Sequence, residues 1–223
     1  MTRIGILLFT AVSATFAQVA DKANSAYKTP EGRDGVARSL TSAGRDARQK
    51  PEELVRAMAL QPGTVVADIG TGPGYMLPFL SRAVGEKGRV LAEDIQDDFL
   101  AKARKKAESD KLGNVSFIKG SETDPMLPES SVDAALALDS YHHYDYPEKM
   151  LAGIRKGLKP GGKLVVVEYY KRKSAMPNGR ALEHIRLDAP DLIKEIESNG
   201  FRLESQREHV KDSQYMVTFT AIK

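Results

Sequence analysis

A glycine-rich loop with an acidic residue in front of it is the segment of this chain best suited to bind a ligand. Residues 65–74 read V-V-A-D-I-G-T-G-P-G, an apolar strand that runs into three glycines. A glycine adopts positive φ and has no Cβ, so a ligand can lie directly against this backbone. Nucleotide-like ligands bind at such strand-to-helix junctions in open α/β sheets. Asp68 would repel a pyrophosphate but suits a ligand that carries an ammonium group.

The D-x-G-x-G-x-G pattern of this loop resembles motif I of the Rossmann-like methyltransferases that use S-adenosylmethionine (SAM). The nicotinamide fingerprint is spaced differently, as G-x-G-x-x-G. SAM carries the methionine ammonium group and a sulfonium. The resemblance therefore implies that Asp68, Gly70, Thr71, Gly72 and Gly74 belong to a SAM-binding site.

A second acid follows at the distance at which a ribose-binding carboxylate is expected. Asp94 ends the next apolar run and lies 24 residues after Gly70, close to the roughly 20 residues typical of dinucleotide-binding folds. Its carboxylate can accept hydrogen bonds from both ribose hydroxyls, and Ile95 can cover one face of the adenine. The alternative is that Asp94 only caps the helix that starts near Asp97.

Three later segments extend the resemblance in the order that the family shows. They are residues 114–120, 131–143 and 158–168, the last of which contains L-K-P-G-G. The loop after the first segment usually supplies an acid to the adenine amino group. Here Ser121 stands where the family often has Asp, so Glu122 or Asp124 supplies the carboxylate or the contact is missing. Asp139, at the end of the fourth strand, is also assigned to the cofactor site.

The loop after the fourth strand carries the candidate catalytic residues. Transfer from a sulfonium needs mainly alignment of the acceptor and exclusion of water, and a general base helps only if the acceptor must lose a proton. His142 is the best candidate because an imidazole titrates near neutral pH. Tyr141 and His143 are weaker candidates. The alternative is that these side chains serve packing and backbone hydrogen bonds.

Two further functions are not expected from the sequence. A metal site formed by His142, His143, His184 and His209 is not predicted, because adjacent histidines point apart on a strand and no acidic ligand with suitable spacing accompanies them. The chain also lacks the Asn/Asp-Pro-Pro-Tyr/Phe motif of methyltransferases that act on adenine or glutamine amide nitrogens. A small-molecule acceptor is therefore expected, in a pocket lined by residues near 35–50 and 170–188.

Alternating strand and helix patterns in residues 51–223 predict one α/β domain with a doubly wound, mostly parallel, seven-stranded sheet and helices on both faces. Strands are predicted at residues 64–69, 89–94, 115–119, 132–138, 163–169, 201–208 and 215–222. The resemblance implies that the last two form an antiparallel hairpin. The length of 223 residues and the formal net charge of +3 fit one domain and indicate no strong nucleic-acid binding.

The N-terminus has the pattern of a secretory signal peptide. One basic residue, Arg3, precedes an uncharged apolar run at residues 4–17, and small residues precede Gln18. The run is shorter than the roughly 20 apolar residues that cross a bilayer. Residues 1–17 are therefore predicted to be a signal peptide that exports the protein, and residues 18–50 a polar linker and lid. A cytoplasmic protein, or one held at the membrane by an uncleaved N-terminus, is the alternative.

Two other functional classes stay open at this stage. An NAD(P)-linked oxidoreductase would share the sheet and Asp94 but should lack the Asp68 pattern and the L-K-P-G-G turn. A non-catalytic cofactor-binding module would keep the fold without transferring a methyl group. Several methyltransferase reactions that need a cysteine are excluded, because the chain has no cysteine.

Overall fold

The fold is described from a computed structural model, which covers residues 19–222. The predicted signal peptide at residues 1–17 lies outside the described residues. Seven strands form one sheet in the order β3-β2-β1-β4-β5-β7-β6. They are β1 (Val65–Ile69), β2 (Arg89–Asp94), β3 (Val115–Lys119), β4 (Val132–Leu138), β5 (Leu158–Tyr169), β6 (Phe201–Val210) and β7 (Gln214–Ala221). This confirms the predicted doubly wound fold.

Strand β7 alone runs against its neighbours. It pairs antiparallel with both β5 and β6, whereas the other pairs in the sheet are parallel. The carboxyl ends of β1, β2, β4 and β5 therefore meet at one edge of the sheet. The strand order reverses on either side of β1, and a ligand crevice forms outside the carboxyl ends at such a switch point.

Eight α-helices surround the sheet. They are α1 (Pro30–Leu40), α2 (Arg45–Gln49), α3 (Pro51–Met58), α4 (Leu77–Val84), α5 (Asp97–Ser109), α6 (Pro147–Gly157), α7 (Ala181–His184) and α8 (Ala189–Ser198). The buried apolar residues form one cluster with α3, α4 and α5 on one face of the sheet and another with α6 and α8 on the opposite face. The central strands β1 and β4 are covered on both faces, which explains their nearly continuous apolar sequence.

The segment predicted as a polar linker and lid is largely helical. A 3₁₀ turn at Ala23–Tyr27 precedes α1 and α2. Helix α1 begins after Thr29, whose side chain accepts a hydrogen bond from the Gly32 N–H, and Pro30 occupies the first helical position. An ion pair of 2.7 Å joins Arg33 to Asp98 at the start of α5. This N-terminal segment therefore packs over the carboxyl edge of the sheet.

No helix in residues 19–222 combines the length and the apolar character needed to cross a membrane.

Candidate functional site

The glycine loop after β1 has the backbone conformation that its sequence predicts. Gly70, Gly72 and Gly74 have φ of +74°, +57° and +86°. A Cβ on Gly70 would lie 2.8 Å from the Ser140 Cβ, so no larger side chain fits there without movement. A Cβ on Gly74 would instead meet Leu77 and Ala103 of the packed helices. Gly70 and Gly72 border the cavity described below, whereas Gly74 serves the packing of the loop.

Asp68 lies beneath this loop rather than on the cavity. It is buried, and its Oδ2 accepts a hydrogen bond of 2.7 Å from the Thr71 hydroxyl. The Thr71 N–H donates to the Glu93 carbonyl, which ties the loop to β2. Burial raises the pKa of the Asp68 carboxyl to about 6, although the Thr71 hydrogen bond acts in the opposite direction. Asp68 therefore shapes the loop and places negative charge behind it.

Asp94 connects the end of β2 to the glycine loop. Its Oδ2 accepts a hydrogen bond of 2.8 Å from the Gly72 N–H, and its Oδ1 accepts one of 2.8 Å from the Gln96 N–H. Burial raises its pKa to about 6, despite these two backbone donors. The contact with Gln96 forms a local turn ahead of α5 and is not a capping hydrogen bond to the first helical turn. The contact with Gly72 and the position of Asp94 on the cavity go beyond capping.

Glu93 is a site residue that the sequence reasoning missed. It is buried beside Asp94, and its Oε2 accepts a hydrogen bond of 3.2 Å from the Gly70 N–H. Its Oε1 has no hydrogen-bond partner among the described residues. Burial, and then the charge of Asp94, raise its pKa well above the usual value. The sequence signal was present, since an acid inside the apolar run of residues 89–95 is unusual.

A cavity of about 420 Å³ opens above the loop. Its floor consists of residues from the ends of β1, β2 and β4, and its cover comes from the N-terminal segment. The residues that line it include Tyr27, Arg45, Glu93, Asp94, Glu122, Asp139 and His143. Ile95 and Ser121 also border it. Glu122 lies at the cavity and Asp124 does not; the Asp124 carboxylate accepts a hydrogen bond from the Met126 N–H instead.

Asp139 borders the cavity at the end of β4 in a left-handed conformation, with φ of +52°. One carboxylate oxygen accepts a hydrogen bond of 2.6 Å from Gln214 Nε2, and the other accepts one from Gln49 Nε2. Burial, followed by the charge of Glu168, raises its pKa to about 7. Asp139 thus links the last strand and α2 to the cavity wall.

The predicted catalytic residues Tyr141 and His142 do not border the cavity. The Tyr141 hydroxyl donates a hydrogen bond of 2.7 Å to Glu195 Oε1 of α8. The Tyr141 ring belongs to the hydrophobic core cluster that includes α6 and α8. His142 is buried, and its Nδ1 lies 2.8 Å and 2.9 Å from the two carboxylate oxygens of Glu168. His143, which we ranked below His142, is the ring on the cavity. Sequence order alone does not determine which side of a loop faces the ligand.

No histidine cluster is predicted from the sequence, because the adjacent histidines are placed on a strand there, and that placement is wrong. Residues 141–143 form a 3₁₀ turn rather than a strand, so the His142 and His143 rings lie side by side with centroids 4.1 Å apart. His142 Nε2 is 3.1 Å from His184 Nε2 of α7. Burial, and then the charge of His142, lower the pKa of His184 to about 4 and that of His143 well below its usual value. His209 lies elsewhere, with its Nε2 2.8 Å from the Gln49 carbonyl oxygen.

The cavity fits SAM. The Gly70 and Gly72 backbone is open to it, and the acids Glu93, Asp94 and Asp139 complement a cationic ligand. The buried Glu93 Oε1 without a partner indicates a polar group that a ligand would satisfy.

Comparisons with known proteins agree with this site. Residues 66–162 match the family described as "Methyltransferase domain". The chain is 32% identical over 118 residues to the ubiquinone/menaquinone biosynthesis C-methyltransferase UbiE of Marinomonas sp. (strain MWYL1), across 52% of this chain and 47% of that protein. It thus spans about half the length of the curated relatives it matches.

Among solved structures, a SAM-dependent methyltransferase from Aquifex aeolicus superposes with a TM-score of 0.75 at 28% identity, covering 84% of this chain and 98% of that one. The [4+2]-cyclase SpnF superposes with a TM-score of 0.68 at 18% identity, covering 82% of this chain and 85% of that one, and shows the fold alone. Residues 66–162 thus match a methyltransferase domain family, and the sheet order and the glycine loop have the class I, Rossmann-like fold of the SAM-dependent methyltransferase structure.

Proposed function

We propose that this protein transfers the methyl group of SAM to a small-molecule acceptor. The observation that carries the proposal is the junction of β1 and β2, where the left-handed Gly72 donates its N–H to Asp94 at the floor of the cavity. The cavity volume of about 420 Å³ and its cover of N-terminal helices favour a small acceptor over a polymer.

Each end of the cofactor has a matching group in the cavity. Asp94 would accept hydrogen bonds from the ribose hydroxyls, and Glu122 would hold the adenine amino group. Glu93 and Asp139 favour the ammonium and sulfonium charges. Arg45 suits the methionine carboxylate, because it borders the cavity and its charge faces the buried acids.

The chain's residues act chiefly by holding the reactants and excluding water. When bound, SAM supplies a methyl group on a sulfonium, whose departure leaves a neutral thioether. The covering N-terminal segment is anchored at Asp145, whose Oδ1 accepts a hydrogen bond of 3.1 Å from the Ala20 N–H. Closure of this kind contributes alignment and desolvation without a dedicated acid or base. We assign no direct proton transfer to Tyr141 or His142, because neither borders the cavity.

The acceptor class follows from the cavity and from the relatives. The curated relatives are named as C-methyltransferases of quinone biosynthesis, so phenolic and quinol rings are the first acceptors to test. The cyclase neighbour shows that this fold also serves a different reaction. Detection of a methylated product is therefore required, in addition to cofactor binding.

Calorimetric titration with SAM and with NAD, followed by an acceptor screen with methyl-labelled SAM, tests the proposal. We expect saturable SAM binding, no comparable NAD binding, and label transfer to a small molecule. Failure to bind SAM would contradict the cofactor assignment. SAM binding without transfer to any tested acceptor would support the non-catalytic module.

We also propose that residues 1–17 act as a signal peptide and that the protein is exported. The support is the sequence pattern alone: a basic start, a short apolar run and small residues before Gln18.

A further inference from the structure

Three histidines from a turn and a separate short helix meet beside the cavity. His142 and His143 come from the turn after β4, and His184 ends α7. One ring nitrogen from each lies within 4.8 Å of the others. The geometry points to a binding site for one first-row divalent metal ion, with Zn²⁺ as the ion that three imidazoles suit best. This inference does not depend on the proposed methyl transfer.

The hydrogen bonds of His142 leave one ring nitrogen available toward the cluster. An ionised carboxylate can only accept, so the 2.8 Å contact with Glu168 requires the proton on His142 Nδ1. His142 Nε2 faces His184 Nε2, and in the neutral ring it presents a lone pair there. A carboxylate behind a histidine in this arrangement is typical of metal ligands, because it fixes the tautomer and raises the basicity of the ring.

The same tautomer is set at His143 by Asn24. The Asn24 amide nitrogen donates to the His143 carbonyl at 3.0 Å and to Asp145 Oδ2 at 3.1 Å. Its amide oxygen is therefore the atom that faces His143 Nδ1 at 2.8 Å, so Nδ1 carries the proton there too. His143 Nε2 presents its lone pair, at 3.4 Å from the Tyr27 hydroxyl.

The spacing is close to that of a tetrahedral ion. Zn–N bonds of about 2.1 Å place two ligand nitrogens roughly 3.4 Å apart at the tetrahedral angle, and His142 Nε2 and His184 Nε2 are 3.1 Å apart. The third nitrogen lies within 4.8 Å of these two, so it needs to approach by at most about 1.4 Å on this bond-length estimate. The charge of Glu168 favours a cation here, whereas that of Arg180 opposes it.

Three protein ligands leave a fourth position open, which is the pattern of metal sites that bind a substrate or water. Because His143 also borders the cavity, the group that would take this position is an oxygen of a small molecule in the cavity.

The test is a titration of the untagged, chelator-treated full chain with Zn²⁺ and with Co²⁺, without SAM. We expect one equivalent of Zn²⁺ to bind by calorimetry and the visible absorption bands of a tetrahedral ion to appear with Co²⁺. Both signals should be lost in His184→Ala and retained in His209→Ala, which removes the histidine outside the cluster. Absence of saturable binding to the wild type would overturn the inference and indicate a proton shared by His142 and His184.

A second variant separates metal binding from folding. Glu168→Gln keeps an acceptor for His142 Nδ1 but removes its charge, and should weaken Zn²⁺ binding by about 10- to 100-fold. Circular dichroism establishes that each variant is folded. One equivalent bound as tightly by folded His184→Ala as by the wild type would also overturn the inference. Titration of the same samples with SAM tests the proposed function separately. Failure of the metal site can therefore be distinguished from failure of the proposed function.

Discussion

Removal of the Asp94 carboxylate should separate cofactor binding from folding. A hydrogen bond to a charged acceptor contributes about 1.5–3 kcal/mol, so Asp94→Ala should weaken SAM binding by about 10- to 150-fold. The substitution also removes the acceptor of the Gly72 and Gln96 N–H groups. However, burial raises the pKa of Asp94 from 3.8 to about 6, so keeping it ionised at neutral pH costs about 3 kcal/mol. The two effects on stability oppose each other.

The assay is SAM calorimetry at 25 °C together with thermal unfolding. Asp97→Ala is the matched control, since it removes the same charge three residues later from a side chain that is 86% exposed and forms an ion pair with Lys119. We expect its SAM affinity to stay within about twofold of the wild type, because exposed ion pairs contribute little. If Asp94→Ala binds SAM as tightly as Asp97→Ala does, the assignment of Asp94 to the cofactor is refuted.

The same carboxylates predict the pH dependence of SAM binding. The pKa values of Asp68 and Asp94 are both raised to about 6. Above pH 7 both are ionised and complement a cationic ligand, and below pH 6 both take up a proton. SAM affinity should therefore fall as the pH drops through 6, more steeply in the wild type than in Asp94→Ala. An affinity unchanged between pH 7.5 and pH 5 would contradict this explanation.

The pH dependence of the folding stability has the opposite sign to the pH dependence of SAM binding. A carboxyl whose pKa is higher in the folded than in the unfolded state binds its proton more tightly when folded. The contribution of Asp94 to apoprotein stability should therefore be greatest below pH 4 and decline as the pH rises through 6. Asp94→Ala should compare more favourably with the wild type at pH 7.5 than at pH 4.5 in thermal unfolding without SAM.

Three further predictions concern the loop, the core and the N-terminus. Gly70→Ala should weaken SAM binding about 10-fold or more and destabilise the fold by ~1–3 kcal/mol, because of its positive φ and the 2.8 Å approach to a neighbouring side chain; Gly113→Ala, where a Cβ meets no atom within 4 Å, should do neither. Tyr141→Phe should lower stability by ~1 kcal/mol and leave SAM affinity and turnover nearly unchanged; a large loss of turnover at full affinity would restore its catalytic role. N-terminal sequencing after fractionation should find an exported protein that begins at Gln18, and an intact N-terminus in the cytoplasm would remove the signal-peptide prediction.

Much of the floor of the cavity could be predicted from the sequence, because the residues that determine it are close to one another in sequence. The turn at Gly70 and Gly72 needs positive φ, which glycine adopts most readily. Asp94 ends a strand that neighbours β1, and the carboxyl ends of neighbouring parallel strands meet at one edge. Strand periodicity, one loop and one acid were sufficient to place these residues together.

The helices of residues 19–50, which cover the cavity, could not be predicted in the same way. Residues 19–50 have few apolar positions, so hydrophobic periodicity carried little signal there. Their helices are held by contacts with distant residues, such as the ion pair of Arg33 with Asp98 and the hydrogen bonds of Asn24 with residues 143 and 145. Such contacts exist only once the sheet has formed.

By itself, the sequence predicted a doubly wound, mostly parallel seven-stranded sheet, the glycine loop after β1 and an acid at the end of β2. Only the tertiary structure decided which side chains of the 141–143 turn face the cavity, and it brought His184 within 3.1 Å of His142 across 42 residues of chain. The reason is that a strand or helix is specified by periodic neighbours in sequence. The direction of a side chain in a short 3₁₀ turn is instead set by partners such as Glu168 and Glu195, which the fold supplies from other strands and helices.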